Sequence, residues 1–457
     1  MQPTTKRCVE DWKTLPWKKF QKIVFRLQYR IYKAQQKGNY KLINQLQRAL
    51  FSSRAAKFLA IRQVTQLNIG KRTATVYKIS KLNSKQRFEL FDEIKSLNNY
   101  KHNELIRLYI SNTYGEKRIL CIPSIKDRCV HCLVKYLLEP VYEAYASIGN
   151  FGFRPGRSYH DVLQNIFTNL KRNANGYTKS ILQLNISKCF DKIDHKKLMS
   201  LIHVPKIIKN IIKLVLKAGT LKERQHFLEA EAISQSGLLS PLLCNIALHG
   251  IEDLWNEPEL HKKTLQRGIR YVDDMLFFIK PKENTEILRR KIDQFLTDRG
   301  LSIKEAEFKI VKAIDGFDFL GWRFEIKSNN ILTCYPSKGN RTELIKKIKK
   351  TMTNSKFSLH ERLKMVKVIY NEWRNYHQYC DLSKINLWSI NNWVYKYSKK
   401  LNSKLKREKR KQAKEYRIQF IKDIFNGHKN SLFRFKSIKT HKSFFCDDWV
   451  QLLKCKL

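Results

Sequence analysis

RYVDDMLFFIK, residues 270–280, is the stretch that decides how the rest of the chain reads. Tyr271 and Val272 favour extended backbone, and Met275 to Ile279 form a short unbroken apolar run. The segment therefore reads as two short strands with a bend between them. Asp273 and Asp274 fall at that bend. Acidic turns are common, so the pair alone specifies nothing, and its weight comes from its surroundings.

Those surroundings are strongly cationic. The 457-residue chain has room for two to four packing units, and its 42% apolar and 12% aromatic content supplies a folded core. Ninety Lys and Arg stand against forty Asp and Glu, a formal charge of +50. An excess of this size repels itself unless a polyanion neutralises it. The longest apolar candidate, LLSPLLCNIALHGI (238–251), is broken by Pro241, Asn245 and His249. No segment is long enough to span a bilayer, so nucleic acid is the expected partner rather than a membrane. Ten cysteines are scattered singly except Cys129 and Cys132, one isolated CxxC that reads as buried free thiols in a reducing compartment. The N-terminal segment shows neither a signal core nor a presequence, and Lys, Asn, Ile, Phe and Tyr are abundant, as in AT-rich genomes. Both features favour a protein encoded in an organelle, plastid ahead of mitochondrion, with a bacterial cytoplasm as the alternative.

Along the chain, residues 17–37 carry helical periodicity with an apolar stripe (Ile23, Leu27, Ile31, Ala34). Beside it runs a basic stripe of Lys22, Arg26, Arg30, Lys33 and Lys37. No acidic residue stands between Asp11 and Glu89. An RNA-binding face is favoured over a merely solvated cationic edge. RLYISNT and KRILCIP read as paired strands, KDRCVHCLVKYLLEPVYEAY as a helix, ILQLNI as a strand, and a polar helix begins near Asp194. Ser240 is the expected N-cap of the helix that follows, with Pro241 at its first position. GFDFLGWRFEI is a further strand pair. From about residue 341 the chain turns helical and basic; Ser358 and Glu361 open a helix with a capping box and Leu363, Val366, Ile369 or Tyr370, and Trp373 on one face. KLKREKRKQAK (404–414), with Lys406, Arg407 and Arg410, is the densest charge run, equally readable as an RNA contact or a solvated helix face.

Phosphoryl transfer by two metal ions requires carboxylates from separate strands, which bridge two Mg²⁺ that activate a 3′ hydroxyl and stabilise the leaving pyrophosphate. A hairpin with adjacent aspartates supplies one half of such a site. In order along the chain stand NFGFRPGRSYHDVL (150–163), LNISKCFDKIDH (184–195), SQSGLLSPLLCNIALHGIE (234–252), RYVDD and FDFLGWRF (317–324). IPSIKDR (122–128) precedes them, and YPSK (335–338) with EWRNYHQY (372–379) follows. This succession resembles the motifs of group II intron-encoded reverse transcriptases over nearly the whole chain.

The resemblance implies an α+β chain with right-hand polymerase fingers and palm (the reverse transcriptase fold), followed by an α-helical thumb or maturase domain. The expected boundaries are 1–60 for an N-terminal helical extension, 61–330 for fingers and palm, 331–400 for the thumb, and 401–457 for a basic C-terminal region. It assigns metal binding to Asp273 with Asp274 as partner, the ribose gate to Phe190, template and nucleotide support to Gln235, and a triphosphate grip to the segment holding Arg118. Phe190 as a core aromatic and Gln235 as a loop residue are the plainer alternatives. The family's first metal-bridging aspartate, however, falls on Asn185. A neutral amide cannot replace an anion between two divalent cations. Asn112 replaces a fingers lysine, Ser236–Gly237 stands for two glycines, and GKRTATVYK lacks the expected turn. Beyond residue 400 only Cys446 and Cys455 occur, too few for an HNH-type zinc nuclease. The implied protein is a group II intron maturase that binds intron RNA and assists its splicing, with an inactive polymerase site and no bound cofactor. The alternative is a working Mg²⁺-dependent reverse transcriptase supporting intron mobility and touching a DNA target. Oligomeric state is left open.

Overall fold

The computed structural model describes residues 12–67, 82–111, 117–186, 192–218, 220–222, 225–227, 238–256, 266–302, 308–382, 385 and 388–403. These fall into two compact units, one of residues 12–165 and 182–309, the other of 166–181 and 310–403.

In the first unit the helix Trp17–Gln36 buries Val24, Gln28, Ile31, Tyr32 and Ala34. This face is rotated from the expected one: Ile23 is 36% exposed, and Leu27 is only half-buried. A proline elsewhere explains why a glutamine faces inward. Pro140 lies inside the helix Ile125–Glu143. Having no N–H, it leaves the carbonyl four residues earlier without its helical donor. That carbonyl belongs to Tyr136, and the Gln28 amide donates to it at 3.0 Å. Gln47, from the next helix Tyr40–Ser52, donates to the adjacent Leu137 carbonyl at 3.2 Å. Hydrogen-bond supply thus joins the apolar contacts of Val24, Ile31, Tyr32 and Ala34 in setting this face. Cys129 and Cys132 are buried free thiols on the same helix, and burial pushes the Cys132 pKa up to about 11.

Strands Leu105–Ser111 and Lys117–Ile122 pair antiparallel as expected. A second sheet places Gly268–Tyr271, Asp274–Ile279 and Ser180–Asn185 as successive neighbours. The helix His195–Leu201 starts where expected, with the Asp194 carboxylate accepting from the Lys197 N–H at 2.8 Å. The apolar helix Ser240–Ala247 corrects the expected cap. Leu239 is the N-cap, and Ser240 is the first helical residue, itself buried.

The second unit contains an antiparallel meander, Phe317–Phe319, Trp322–Ile326 and Leu332–Pro336. The helices Lys338–Thr353, Leu359–Tyr376 and Trp388–Ser403 follow it. Ser358 and Glu361 form the expected capping box. Leu363, Val366, Tyr370 and Trp373 bury one face against Leu344 and Ile348, with Tyr370 in the inner position and Ile369 beside it. Asn340 joins Trp373 of this helix to His377 at its C-cap: its Oδ1 accepts from Trp373 Nε1 at 2.6 Å and meets His377 Nε2 at 2.9 Å.

Candidate functional site

The strand Ser180–Asn185 ends beside the acidic hairpin. Tyr271 pairs with Asp274 across the hairpin, so Val272 and Asp273 form a two-residue loop. The Ile186 N–H donates to the Asp273 carbonyl at 3.2 Å and ties the loop to the strand end. Val272 has φ of 66° and is buried. Positive φ at the first loop position belongs to glycine in tight hairpins, and a β-branched residue there stores strain of about 1–3 kcal/mol. Such strain persists only where the surroundings hold it.

A buried polar frame does so. Arg270 and Glu252 are fully buried and paired, with Nε to Oε2 at 3.0 Å. Burial opposes the Arg270 charge, but the Glu252 carboxylate outweighs it and holds the guanidinium pKa above its ordinary value. Arg270 Nη1 also donates to Asn245 Oδ1 at 2.9 Å and to the Val272 carbonyl at 3.4 Å. Asn245 donates onward to the Gly152 carbonyl at 2.7 Å. The NFG segment at 150–152 runs alongside, with Arg270 N–H to Gly149 O at 2.8 Å and Phe151 N–H to Arg270 O at 2.9 Å. A Cβ on Gly152 would lie 2.5 Å from the Val272 nitrogen, so only glycine allows this approach. Arg154 of the same motif is structural: it clasps Glu143 at 2.8 Å and donates to the Ser147 and Asn150 carbonyls. These residues were not singled out from sequence. The available signal was an arginine inside an apolar strand and a glutamate inside an apolar helical run, each needing a partner once buried.

On this frame the Asn185 amide donates to Asp274 Oδ1 at 2.5 Å. An ionised carboxylate can only accept, so the amide presents its NH₂ to Asp274. Burial, and then the neighbouring Asp273 carboxylate, push the Asp274 pKa up to about 6, with the Asn185 hydrogen bond pulling it back. Two carboxylates and an amide whose donor occupies one of them do not fit a pair of divalent cations. Among the described residues no group of three or more His, Cys, Asp or Glu could hold a metal ion.

The structure thus brings together Asn185, Asp273 and Asp274. Arg118 lies on the strand Lys117–Ile122, its backbone opposite Ile110. Phe190, Gln235, Lys406, Arg407 and Arg410 lie outside the described residues, as do Asn112, Ser236 and Gly237. The basic stripe lies within them. Lys22, Arg26, Arg30, Lys33 and Lys37 are all exposed, spaced three or four residues apart along one helix face. Phe25 and Tyr29 stack at 6.4 Å on this helix, and the Lys33 ammonium lies 5.9 Å from the Tyr29 ring.

Residues 12–94 match the family model of the N-terminal domain of reverse transcriptase, and residues 100–324 that of reverse transcriptase, the RNA-dependent DNA polymerase. Maturase-like protein 1 of Euglena gracilis is 33% identical over 374 residues, covering 81% of this chain and 78% of that protein. The chain belongs to the reverse transcriptase and maturase family of group II introns. Maturase-like protein 1 of Euglena longa is 30% identical over 375 residues, 81% of this chain and 79% of that one. The group II intron-encoded protein LtrA of Lactococcus lactis subsp. cremoris is 37% identical over 151 residues, 32% of this chain and 24% of that protein. In this reverse transcriptase and maturase family member the Arg270–Glu252 frame lies behind the acidic hairpin, and Asn185 stands at the strand end that faces it.

Proposed function

We propose that this protein is an intron maturase that binds folded group II intron RNA and assists its splicing, with a palm that no longer polymerises. One observation carries the reading: the Asn185 amide donates to Asp274 where a bridging anion is required. Loss of that anion lowers the negative charge that would collect divalent cations, while the buried frame behind it keeps the fold. Binding then rests on the cationic exterior. The stripe from Lys22 to Lys37 offers five exposed cations over roughly 22 Å of helix. Each phosphate it neutralises releases counterions and steepens the salt dependence by roughly 0.7–0.9. The RNA does the splicing chemistry, and the protein offsets phosphate repulsion in its compact form.

The finer assignments belong to this proposal: fingers and palm in the first unit, a thumb or maturase domain in the second, and phosphate contacts from the C-terminal basic run. No helix among the described residues is long and apolar enough to cross a membrane. An organellar setting, plastid ahead of mitochondrion, is supported by the AT-rich residue usage.

Primer extension on an RNA template, with Mg²⁺ and then Mn²⁺, tests the reading alongside a splicing assay. No cDNA is expected from the wild type, with splicing lost on reversing Lys22, Arg26 and Arg30 to Glu and kept in Asp273→Ala. Brisk cDNA synthesis abolished by Asp273→Ala would establish a working polymerase instead.

A further inference from the structure

In the first unit, a cavity of about 390 Å³ is walled by residues from five separate helices and connecting turns, including Tyr40, Tyr145, His203, His249 and Arg299. That volume falls within the range of about 300–1,000 Å³ typical of small-ligand sites. Among the described residues no carboxylate lines its wall. Five rings line it: Tyr40 lies 5.5 Å from His203, and Tyr145 lies 4.9 Å from His249 and 5.5 Å from Tyr142. Tyr40 is 51% exposed and Tyr145 39%, so these rings border open space instead of filling a core. Arg299 is fixed at the wall, its Nε donating to the Ala247 carbonyl at 2.6 Å and its Nη1 to the Phe295 carbonyl at 2.8 Å.

A second hollow of about 170 Å³ shares Gln35, Tyr40, Ile202 and His203 with the first and extends to Asn44 and Lys209. The two hollows adjoin at the Tyr40–His203 wall and together make a groove lined by Arg299 in the first hollow and Lys209 in the second. Aromatic faces accept any nucleobase by stacking, and fixed cations accept phosphate. A free mononucleotide would need one hollow; two with a shared wall suit a strand that continues past the inserted base. None of this surface belongs to the acidic hairpin or to the basic stripe of the Trp17–Gln36 helix.

We propose that this groove seats an unpaired nucleotide of the bound RNA, its base against the Tyr40 and Tyr145 rings and its flanking phosphates at Arg299 and Lys209. The inference rests on the maturase reading and adds to it a contact that reads unpaired bases, where the helix stripe reads charge. It also connects the groove to the hairpin: Tyr142, in the cavity wall, accepts from Asn150 at 2.7 Å, one residue from the Phe151–Arg270 backbone bond.

The test uses the full chain and a labelled RNA hairpin carrying a single-stranded tail, titrated over a range of salt. Tyr40→Ala is expected to weaken binding about 5- to 150-fold, the range for one base–aromatic stack. The salt slope should stay unchanged, because a ring releases no counterion. Tyr40→Phe should bind as wild type, and Lys209→Gln should lower the slope by about 0.7. Ultraviolet crosslinking should place the tail on peptides holding Tyr40 or Tyr145. Wild-type affinity in Tyr40→Ala, or a free nucleoside monophosphate that binds as tightly as the tailed hairpin, would overturn the inference and leave the maturase reading standing. A wild-type protein that ignores RNA at cellular ionic strength would overturn both. Tyr40 is half exposed, so an unchanged unfolding midpoint is the control for folding.

Discussion

Placing an acid at the strand end by Asn185→Asp should make the protein less stable without divalent metal and make it respond to metal where the wild type does not. The substitution removes the 2.5 Å hydrogen bond to Asp274. A bond to a charged acceptor is worth about 1.5–3 kcal/mol. It also places a third carboxyl beside two others. Full repulsion between unit charges about 4 Å apart reaches about 4 kcal/mol at an effective dielectric of 20. Proton uptake sets a lower ceiling. With the Asp274 pKa already at about 6, protonating it at pH 7.5 takes about 2 kcal/mol. A shared proton then restores one hydrogen bond, so the expected net loss is about 2–4 kcal/mol. For a unit of this size that lowers the thermal midpoint by roughly 4–16 °C. Thermal unfolding at pH 7.5, with and without saturating Mg²⁺, reads the effect. Metal at a hundred times its Kd should return about 2.7 kcal/mol to the variant and leave the wild type unmoved. Equal stability of the two proteins without metal, or equal stabilisation of both by Mg²⁺, would refute the electrostatic account.

The raised Asp274 pKa gives a pH signature: its native-state preference for the proton stabilises the fold below about pH 4, and that contribution is lost as pH rises through about 6. Asp274→Asn should flatten the stability profile between pH 4 and 7 in denaturant titrations. Glu252→Gln leaves the Arg270 guanidinium buried without its anion and should lower the denaturant midpoint by the equivalent of about 3–5 kcal/mol. Gly152→Ala drives a methyl group into the Val272 backbone and should destabilise by about 1–3 kcal/mol, measured the same way. Replacing Lys22, Arg26 and Arg30 by Gln, all exposed, should leave that midpoint unchanged while lowering the salt slope of RNA binding by up to about 2–3.

Much of the architecture was legible because it depends on local pattern. The acidic hairpin, the paired strands at 105–122, the helix start near Asp194 and the Ser358–Glu361 box follow from alternation, turn chemistry and capping, which neighbouring residues decide among themselves. That Asn185 is an amide where the resemblance implies a carboxylate was also visible, since a change of chemistry at one position needs no coordinates. The inward face of the Trp17–Gln36 helix was misjudged at Ile23, because the orphaned Tyr136 carbonyl that draws in Gln28 arises from a proline more than a hundred residues away. Ser240 was misplaced by one position because a buried serine next to a proline carries the same local signal as a cap.

The residue order by itself determined the charge excess, the succession of motifs and the identity of each group at the strand ends. Tertiary structure alone decided that the Asn185 amide would turn its donor onto Asp274, that Arg270 and Glu252 would neutralise one another beneath a strained Val272, and that Tyr40, Tyr145 and His203 would surround one hollow. Those outcomes depend on distances between residues far apart in the chain, where hydrogen-bond supply and close packing, not sequence neighbours, set the energy.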